Sequence, residues 1–425
     1  MKIPPVKGTR DFYPNVMAVR NFIIDGWKSA SIRNGYQEYD GPLFEYLDMY
    51  RVKSGDEIVE QLFHLTDRGG RELAVRPEIT PSLARMVNQR INSLPRPVKW
   101  FSVPRLCRAE RPQKGRLREF FQWNIDIIGV DDLLADAEVI FTAVDYLRSL
   151  GLTSGDVAVR ISSRSMLAAV LSSAGVENAQ LDSVYAVLDK RSKLSEEAFS
   201  EILSGVVSDP QLRSRICELM SAGSLDDLED YAAGCEESAA AIRELRDLFD
   251  ILEKMGVGEF CRFDIGIVRG LAYYTGIVFE IYDAADELRA IGGGGRYDNL
   301  LRQFGGPDVP ATGFGMGDCV LEILLREKGL LEESVPGMGL DYYVVYPDRE
   351  YLPEVLKTVS SLRKAGFSCN FSYKTPGLGK QFKHAAAQGA ARCVVIGEEV
   401  KDGKLSVKDM ATGEQVLVDK DGLLD

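Results

Sequence analysis

The chain has 425 residues, 51 basic and 64 acidic side chains, a net charge of -13 and 45% hydrophobic residues. At roughly 150 residues per domain, this length predicts two or three domains. The composition is that of a globular protein, and no apolar run approaches the roughly 20 residues that span a bilayer. Membrane, disordered and fibrous classes are therefore excluded.

The first residues, MKIPPVKGTRDFYP, show neither the apolar core of a signal peptide nor the composition of a transit peptide. Seven dispersed cysteines without a CxxC pair favour packed thiols over disulfides or a zinc ribbon. We therefore expect a cytoplasmic protein without a membrane segment or a protein-bound metal. Because only His64 and His384 are present, sites that need several histidines are excluded, and there is no GxSxG elbow.

In chain order, residues 16–33 are predicted to be helical, and the alternating stretches 61–65 and 72–75 are predicted to be strands of an antiparallel sheet. From about residue 178 to 255 the apolar spacing changes to three and four residues, which predicts a helical insert. Glycine-punctuated strand patterns return with CRFDIGIVRGLAYYTGIVFEIYD and RAIGGGGRYDNLL. After a linker at 332–340, strands alternate with helices, which favours a small α/β domain with a largely parallel sheet.

These patterns predict a chain of the α/β class with three parts. The first is a discontinuous domain over residues 1–330, interrupted by a helical insertion domain over 178–255. The second sheet belongs to an α/β domain over residues 338–425.

The strongest chemical signal is the run RLCRAERPQKGRLREFFQWNIDIIG at 105–129, in which six basic residues precede an aromatic pair. A charge run by itself is usually a solvated surface. On a strand–turn–strand hairpin that ends in aromatic residues, however, guanidinium groups and a ring face suit the phosphates and base of a nucleotide.

The string RAERPQKGRLREFFQ resembles motif 2 of class II aminoacyl-tRNA synthetases, in the version found in histidyl-tRNA synthetases. Residues 268–280, VRGLAYYTGIVFE, resemble the histidine-specific segment of that family. Further matches are KGTRDFYP, AVRPEIT, GGGGRYDNL and a C-terminal run that ends in VVIGEE. The resemblance covers essentially the whole chain in the expected order.

The resemblance implies a catalytic domain with the class II antiparallel sheet and a C-terminal anticodon-binding domain. It implies ATP-dependent activation of L-histidine, with Mg²⁺, and transfer to the 3′ end of tRNA(His), releasing AMP and diphosphate. GYQEYDGPLFEYLDMY at 35–50 matches motif 1, which implies a homodimer; a core strand after a helix is the other interpretation.

The motif 2 match implies that Arg108 holds the α-phosphate and the carboxylate side of histidine. Glu110 is expected to face the adenine amino group, Phe120 to stack on adenine and Arg116 to reach the outer phosphates. Arg269 matches a family arginine at the α-phosphate that replaces a metal ion, since negative charge must be neutralised where it develops. Arg108 and Arg269 are therefore the expected catalytic residues.

For histidine itself, Glu78, Thr80 and Gln122 match the family positions that accept the α-ammonium group. Asp126 and Tyr274 match the positions that bind the two imidazole nitrogens, with Tyr273 beside them. Without the resemblance, a structural ion-pair partner is the other interpretation of Asp126. The four glycines of 292–295 permit either close approach to a ligand or a tight turn.

The chain departs from the family pattern in two places. Ala272 stands where most members carry aspartate, and Val320 replaces the motif 3 arginine that binds ATP; Arg302 and Arg326 are candidates to compensate. In the C-terminal domain, which has 12 basic and 12 acidic residues, Lys374, Lys380 and Lys383 are candidate phosphate contacts; a solvated helix face is the other interpretation. Two alternatives stay open at this point: a catalytically silent regulatory paralogue of histidine biosynthesis, and a tRNA-binding protein disabled by Val320.

Overall fold

A computed structural model describes residues 3–54, 62–191, 194–267, 274–331, 335 and 339–423. The chain forms two compact units, Met1–Asp11 with Arg20–Glu333 and Phe12–Val19 with Ser334–Asp425. Among the described helices, none combines the length and apolarity needed to cross a membrane.

The first unit contains twelve strands in its described part. They are β1 (Gln37–Glu38), β2 (Phe44–Tyr46), β3 (His64–Thr66), β4 (Glu72–Val75), β5 (Val98–Ser102), β6 (Arg105–Cys107), β7 (Glu119–Ile128), β8 (Val157–Ser163), β9 (Cys261–Phe263), β10 (Ile277–Asp283), β11 (Gly292–Arg296) and β12 (Ala311–Gly317). Nine of them form one sheet in the order β1-β5-β7-β12-β11-β10-β8-β9, with β6 paired to β7. Most neighbours in this sheet are antiparallel, as predicted.

Twelve helices begin before residue 320 in the described residues. They are α1 (Pro14–Arg33), α2 (Leu47–Ser54), α3 (Thr80–Arg90), α4 (Leu133–Ser149), α5 (Arg164–Ala174), α6 (Leu181–Leu188), α7 (Glu196–Val206), α8 (Pro210–Leu219), α9 (Glu229–Ala232), α10 (Glu236–Lys254), α11 (Leu300–Gln303) and α12 (Asp318–Glu327). Helices α5, α7 and α8 are capped at their N-termini by Ser163, Ser195 and Asp209, whose side chains accept a backbone N–H of the first turn.

The core of the large sheet depends on the alternation in β7. Trp123, Ile125 and Ile127 point to the buried face of this strand. Trp123 stacks on Trp27 of α1 at 6.2 Å between ring centroids, and its indole N–H donates to Ser31 at 2.8 Å. The opposite face of β7 is therefore available for polar residues.

The glycine run lies in a strand, not in a turn. β11 pairs with β10 and β12 along its length. A Cβ atom at Gly294 would lie 2.1 Å from the carbonyl oxygen of Gly313, and one at Gly295 would lie 2.4 Å from that of Ile277. The absence of side chains therefore brings the neighbouring backbones together at this place in the sheet.

A second, three-stranded sheet has the order β2-β4-β3. The predicted strand at 72–75 is confirmed as β4. Of the predicted strand at 61–65, residue 61 lies outside the described residues, and the strand found there, β3, is His64–Thr66. Glu45 and Ala74 are directly opposite each other and buried. The other face of this sheet carries apolar side chains that remain partly exposed.

The second unit alternates strands and helices as predicted: β13 (Tyr342–Val345), α13 (Leu352–Lys364), β14 (Cys369–Phe371), α14 (Leu378–Ala387), β15 (Arg392–Val395), β16 (Lys404–Asp409) and β17 (Gln415–Asp419). The strand order is β14-β13-β15-β16-β17. β13 is parallel to both of its neighbours, whereas β16 and β17 add antiparallel pairs that the prediction did not include.

Candidate active site

The side of β7 that faces away from Trp123 carries a row of functional side chains at every second position. Phe120, Gln122, Asn124 and Asp126 share this face because successive strand residues alternate between the two faces of a sheet. In the register with β12, Gln122, Asn124 and Asp126 lie opposite glycines, namely Gly317, Gly315 and Gly313. The glycines leave space above the sheet in front of the polar row.

This space is required by the geometry of the polar side chains. A Cβ atom at Gly313 would lie 2.4 Å from Oδ1 of Asp126, and one at Gly315 would lie 2.6 Å from Nε2 of Gln122. Real Cβ atoms do not approach other heavy atoms so closely. The floor of the site is therefore made of backbone, and its functional groups come from β7 and from the surrounding loops.

Two adjoining cavities lie over this floor. The small cavity, of about 90 Å³, is lined by Glu78, Thr80, Arg108, Gln122, Asn124, Asp126, Tyr274, Gly293, Tyr297, Gly313, Phe314 and Gly315. The large cavity, of about 380 Å³, is lined by Arg108, Gly115, Arg116, Leu117, Phe120, Gln122, Tyr274, Phe279, Glu280, Ala290, Ile291, Gly292, Gly293, Gly294, Gly315, Gly317, Cys319 and Val320. The two share Arg108, Gln122, Tyr274, Gly293 and Gly315, so a ligand in one reaches a ligand in the other.

Asp126 is buried at the inner end of the small cavity. The hydroxyl of Tyr297 donates a hydrogen bond to Oδ1 of Asp126. Burial, followed by the nearby Asp126 charge, raises the pKa of Tyr297 well above its usual value, and the same two causes act on Tyr39. Both hydroxyls therefore remain protonated beside the carboxylate.

Arg108 stands at the junction of the two cavities. Its Nε atom donates to the carbonyl oxygen of Pro77 at 3.2 Å, and its guanidinium carbon lies 5.1 Å from the ring centroid of Phe120. The hydrogen bond fixes the direction of the side chain, and the ring contact is a cation–π interaction. A fixed positive charge therefore faces both cavities.

Glu110 and Arg116 form an ion pair with each other in the hairpin. Arg116 lines the large cavity, whereas Glu110 is absent from the lining residues that the structure describes. The turn of this hairpin is closed by two hydrogen bonds of 2.9 Å between Gln113 and Arg116, and Gly115 adopts a positive φ of 72°. This conformation favours glycine at the tip.

Glu78, in the segment that leads into α3, and Thr80, the first residue of α3, line the small cavity. Arg76, which is buried, holds the start of this segment through hydrogen bonds to Asp40 at 2.6 Å and to the carbonyl oxygen of Gly41 at 2.7 Å. Its Nε atom donates to the carbonyl oxygen of Arg105 at 3.2 Å. The segment is thus tied to the hairpin that carries Arg108.

The predicted residues Arg269 and Tyr273 lie outside the described residues, as does Ala272. Tyr274 lines both cavities. Sequence reasoning missed Asn124, Tyr297 and Glu280. The alternation of β7 was a sufficient signal for Asn124, whereas Tyr297 reaches Asp126 from the position that directly follows β11.

Val320 packs against the hairpin, since a Cβ atom at Gly115 would lie 2.9 Å from its Cγ2 atom. The candidates to replace the motif 3 arginine are both engaged elsewhere. Arg302 bonds Asp308 and Asn299, and Arg326 bonds Glu322. Neither is among the described residues that line the large cavity.

A family model described as Histidyl-tRNA synthetase matches residues 8–317, and one described as Anticodon binding domain matches residues 341–425. The chain belongs to the histidyl-tRNA synthetase family. A histidine–tRNA ligase of Arabidopsis thaliana, named chloroplastic/mitochondrial, is 41% identical over 417 residues, which cover 98% of this chain and 85% of the relative. The histidine–tRNA ligase of Opitutus terrae is 40% identical over 97% of this chain and 95% of its own length.

Solved structures agree with the family. The histidyl-tRNA synthetase of Nostoc sp. PCC 7120 has a TM-score of 0.85 at 26% identity and covers 99% of this chain and 98% of its own. A Bacillus halodurans C protein described as an ATP phosphoribosyltransferase regulatory subunit/histidyl-tRNA synthetase has a TM-score of 0.74, covering 88% and 93%. The predicted class II fold and the predicted histidine–tRNA ligase function, which uses ATP, are confirmed. The relatives named histidine–tRNA ligase, matched over nearly the whole chain, favour this activity over the regulatory paralogue.

Proposed function

We propose that the small cavity binds L-histidine and the large cavity binds ATP, and that histidyl-adenylate forms where they meet. The observation that carries this assignment is the set of five residues shared by the two cavities, with Arg108 among them. A carboxylate from the small cavity and an α-phosphate from the large cavity would both lie beside this guanidinium. The carboxylate and the phosphate are both negatively charged, and they can approach each other there because Arg108 neutralises part of their charge.

In this proposal the α-ammonium group of histidine is bound by Glu78, Thr80 and Gln122. Asp126 and Tyr274 bind the imidazole nitrogens, with Tyr273 beside them. This assignment is supported by the lining of the small cavity, which includes every residue of the set except Tyr273, a residue outside the described part of the chain. A buried carboxylate left without the imidazole N–H would disfavour amino acids that cannot donate a hydrogen bond.

In the large cavity, Phe120 is proposed to stack on adenine, with Glu110 at the adenine amino group and Arg116 at the outer phosphates. The Arg116–Glu110 ion pair lets each residue exchange its partner when ATP binds: the phosphates take Arg116 and the adenine amino group takes Glu110. After the exchange Arg116 is paired with the charged phosphates, and Glu110 accepts a hydrogen bond from the neutral amino group.

The chemistry then has two steps. A carboxylate oxygen of histidine attacks the α-phosphorus, and the bond from that phosphorus to the bridging oxygen breaks, releasing diphosphate. The terminal ribose hydroxyl of tRNA(His) next attacks the carbonyl carbon, and AMP leaves. Arg108 and Arg269 are the proposed catalytic residues, because both steps pass through added negative charge beside the phosphate.

Mg²⁺ is proposed to accompany ATP. Glu280 is the one carboxylate among the described residues that line the large cavity, and carboxylate and phosphate oxygens are ligands that Mg²⁺ prefers. The ion would supply charge neutralisation at the outer phosphates when bound.

The second unit is proposed to bind the anticodon arm of tRNA(His). Residues 355–397 contain seven basic residues and no acidic residue, although acids make up 64 of the 425 residues of the chain. Lys374, Lys380 and Lys383 are exposed in this stretch, and Tyr373 has 84% of its surface exposed. Lysines suit phosphates, and an exposed ring suits an unstacked base.

We also propose that residues 1–330 form the catalytic domain, that 178–255 insert into it and lie over the acceptor arm, and that 338–425 form the anticodon-binding domain. All seven cysteines are free thiols, in keeping with a cytoplasmic location. A homodimer is proposed from the apolar face of the three-stranded sheet, which carries Phe44, Tyr46, Phe63 and Leu65.

The test is ATP–diphosphate exchange with purified protein and each of the twenty amino acids, followed by aminoacylation of tRNA(His). Exchange that depends on histidine, and is lowered at least about 100-fold in Arg108→Ala and Arg269→Ala, is the expected result. Absence of exchange in the unmodified protein, with histidine still bound in calorimetry, would favour the protein disabled by Val320.

A further inference from the structure

Residues 7–10, here called the N-terminal segment, lie directly on the hairpin that precedes β7. Gly8 adopts a φ of +87°, and a Cβ atom on it would lie 2.6 Å from Cγ of Pro112 and 3.1 Å from Cγ of Arg118. The carbonyl oxygen of Gly8 accepts the backbone N–H of Arg118 at 2.9 Å. The segment and the hairpin are therefore in contact at a place where only glycine fits.

Arg10, at the end of this segment, reaches the first residue of α12. Its guanidinium lies 2.5 Å from Oδ2 of Asp318 and 3.6 Å from Oε2 of Glu322. The side chain of Asp318 is only 3% exposed, whereas that of Glu322 is 21% exposed. Because an uncompensated buried carboxylate is costly, the ion pair with Arg10 stabilises the buried side chain of Asp318.

The other oxygen of Asp318 connects this ion pair to the large cavity. Oδ1 of Asp318 accepts the backbone N–H of Phe121 at 3.0 Å. Phe121 follows Phe120, whose ring lines the large cavity, and Val320 lines it from the first turn of α12. A chain of contacts therefore runs from Arg10 through Asp318 to both walls of this cavity.

The contribution of α12 to the large cavity is uncharged, since Cys319 and Val320 are its lining residues in the described chain. The arginine expected at position 320 is absent, and the helix instead presents Asp318 to a cation from the N-terminal segment. Arg10 and Asp318 thus fix the spacing of α12 and β7 from outside the cavity.

We infer that Arg10 is a positioning residue for ATP. Through Asp318 it holds β7, which carries Phe120, and α12, which carries Val320, at the separation that the nucleotide needs. This inference rests on the proposed binding of ATP in the large cavity. It requires no contact between Arg10 and the nucleotide. Its signature is a KM for ATP that changes separately from the KM for histidine.

The test measures both KM values by ATP–diphosphate exchange in Arg10→Ala, Arg10→Lys and Glu322→Gln, with thermal melting as the check on folding. Arg10→Ala is expected to raise the KM for ATP about tenfold, with the KM for histidine within about twofold of the parent. Arg10→Lys restores most of the loss, because it can still pair with Asp318. Glu322→Gln, which removes the more distant partner alone, changes neither KM.

Equal rises of both KM values in Arg10→Ala, or no rise in either, would overturn the inference. If Arg10→Ala fails to fold, Asp318→Asn serves instead, since it keeps an acceptor for Phe121 and loses the ion pair; a KM for ATP unchanged in this variant has the same meaning. Phe120→Ala separates the two proposals. A KM for ATP that is unchanged in Phe120→Ala refutes the proposed ATP site, whereas a raised KM there with no effect at Arg10 refutes only the positioning role.

Discussion

Asp126 meets the hydroxyl of Tyr297 because one comes from β7 and the other directly follows β11, on the same side of the sheet. The hydroxyl of Tyr297 keeps its own proton, because burial and the nearby carboxylate raise its pKa, and it donates a hydrogen bond to the buried carboxyl group of Asp126. Carboxyl oxygens accept hydrogen bonds, so this group favours a ligand that presents an N–H group to it. Selection of the amino acid thus depends on two residues. In our proposal Asp126 contacts the ligand, and Tyr297 orients Asp126.

Asp126→Asn is expected to raise the KM for histidine about 100-fold, because it removes the charge that favours the imidazole N–H while keeping the size of the side chain. The KM for ATP stays within about twofold, since Asp126 is absent from the described lining of the large cavity. Exchange kinetics at varied histidine and varied ATP measure both. Tyr297→Phe should give a smaller rise of about tenfold, and an equal loss for both substrates in Asp126→Asn would contradict the assignment.

Gly313→Ala is expected to weaken histidine binding at least about tenfold and to lower the free energy of unfolding by about 1–3 kcal/mol. The added Cβ would lie 2.4 Å from both Oδ1 of Asp126 and the carbonyl oxygen of Ile125, so Asp126 must move. Gly317→Ala is the matched control on the same strand, because nothing lies within 4 Å of its Cβ position. Chemical denaturation and histidine titration compare the two, and equal effects would argue against a steric cause.

At the level of elements, β7 shows how far sequence patterns extend. The alternation in FQWNID predicts both faces of the strand, and the basic hairpin before it was correctly identified as strand–turn–strand. The functional partners of β7 were harder to predict, because Tyr297 and the glycines of β12 reach it by long-range pairing. Pairing across 171 residues, as between Asp126 and Tyr297, leaves no local pattern in the sequence.

The exposed face of the three-stranded sheet allows a test of self-association. Phe44 (47% exposed), Tyr46 (59%), Phe63 (38%) and Leu65 (43%) lie on the face opposite the buried Glu45 and Ala74. Such a continuous apolar face on a small sheet favours contact with a partner surface. In the proposed homodimer, a second copy covers it.

The double variant Tyr46→Lys with Leu65→Lys is therefore expected to shift the protein from dimer to monomer in sedimentation velocity, because two charges would be buried without partners. Leu356→Lys, at a residue that is 48% exposed in the second unit, serves as the control and should leave the mass unchanged. A parent protein that sediments as a monomer would refute the proposed homodimer directly.

At the scale of the whole molecule, charge is distributed unevenly. The chain has a net charge of -13, yet residues 355–397 carry seven basic side chains and no acid. Counting the second unit as a whole gives neutrality and conceals this stretch. A charge count over the whole domain averages the basic stretch with the acidic residues around it. The count also does not show which charged side chains lie close together in the folded unit, because such residues are not neighbours in the chain.

Asp156 provides a pH-dependent contribution to stability. Hydrogen bonds from Lys328 and then from Thr153 lower its pKa to about 2, below the value of about 3.9 in unfolded chains. The pairing therefore stabilises the folded protein above about pH 4, and the contribution is lost as the pH falls towards 2. Asp156→Asn should lower the free energy of unfolding by about 1 kcal/mol at pH 7, after solvent screening, with the difference vanishing near pH 2.

Urea titrations at pH 7 and at pH 2.5 measure this difference. Asp182→Asn is the control, because that carboxylate lies 3.5 Å from Arg164 with 93% of its side chain exposed. It should change the stability little at either pH. A difference for Asp156→Asn that grows on acidification would reverse the expected sign and reject the ion pair as its cause.

The backbone floor of the site also has a consequence for inheritance. Every single-nucleotide change in a glycine codon that alters the residue introduces at least a β carbon, and at Gly294, Gly295, Gly313 and Gly315 that atom would lie within 2.6 Å of a neighbouring atom. A single point mutation that changes one of these glycines therefore always introduces a steric clash in the floor of the site. Any lineage that changes amino-acid preference in this fold must do so through the walls, at positions such as Thr80, Asp126 or Tyr274, while the floor remains the same.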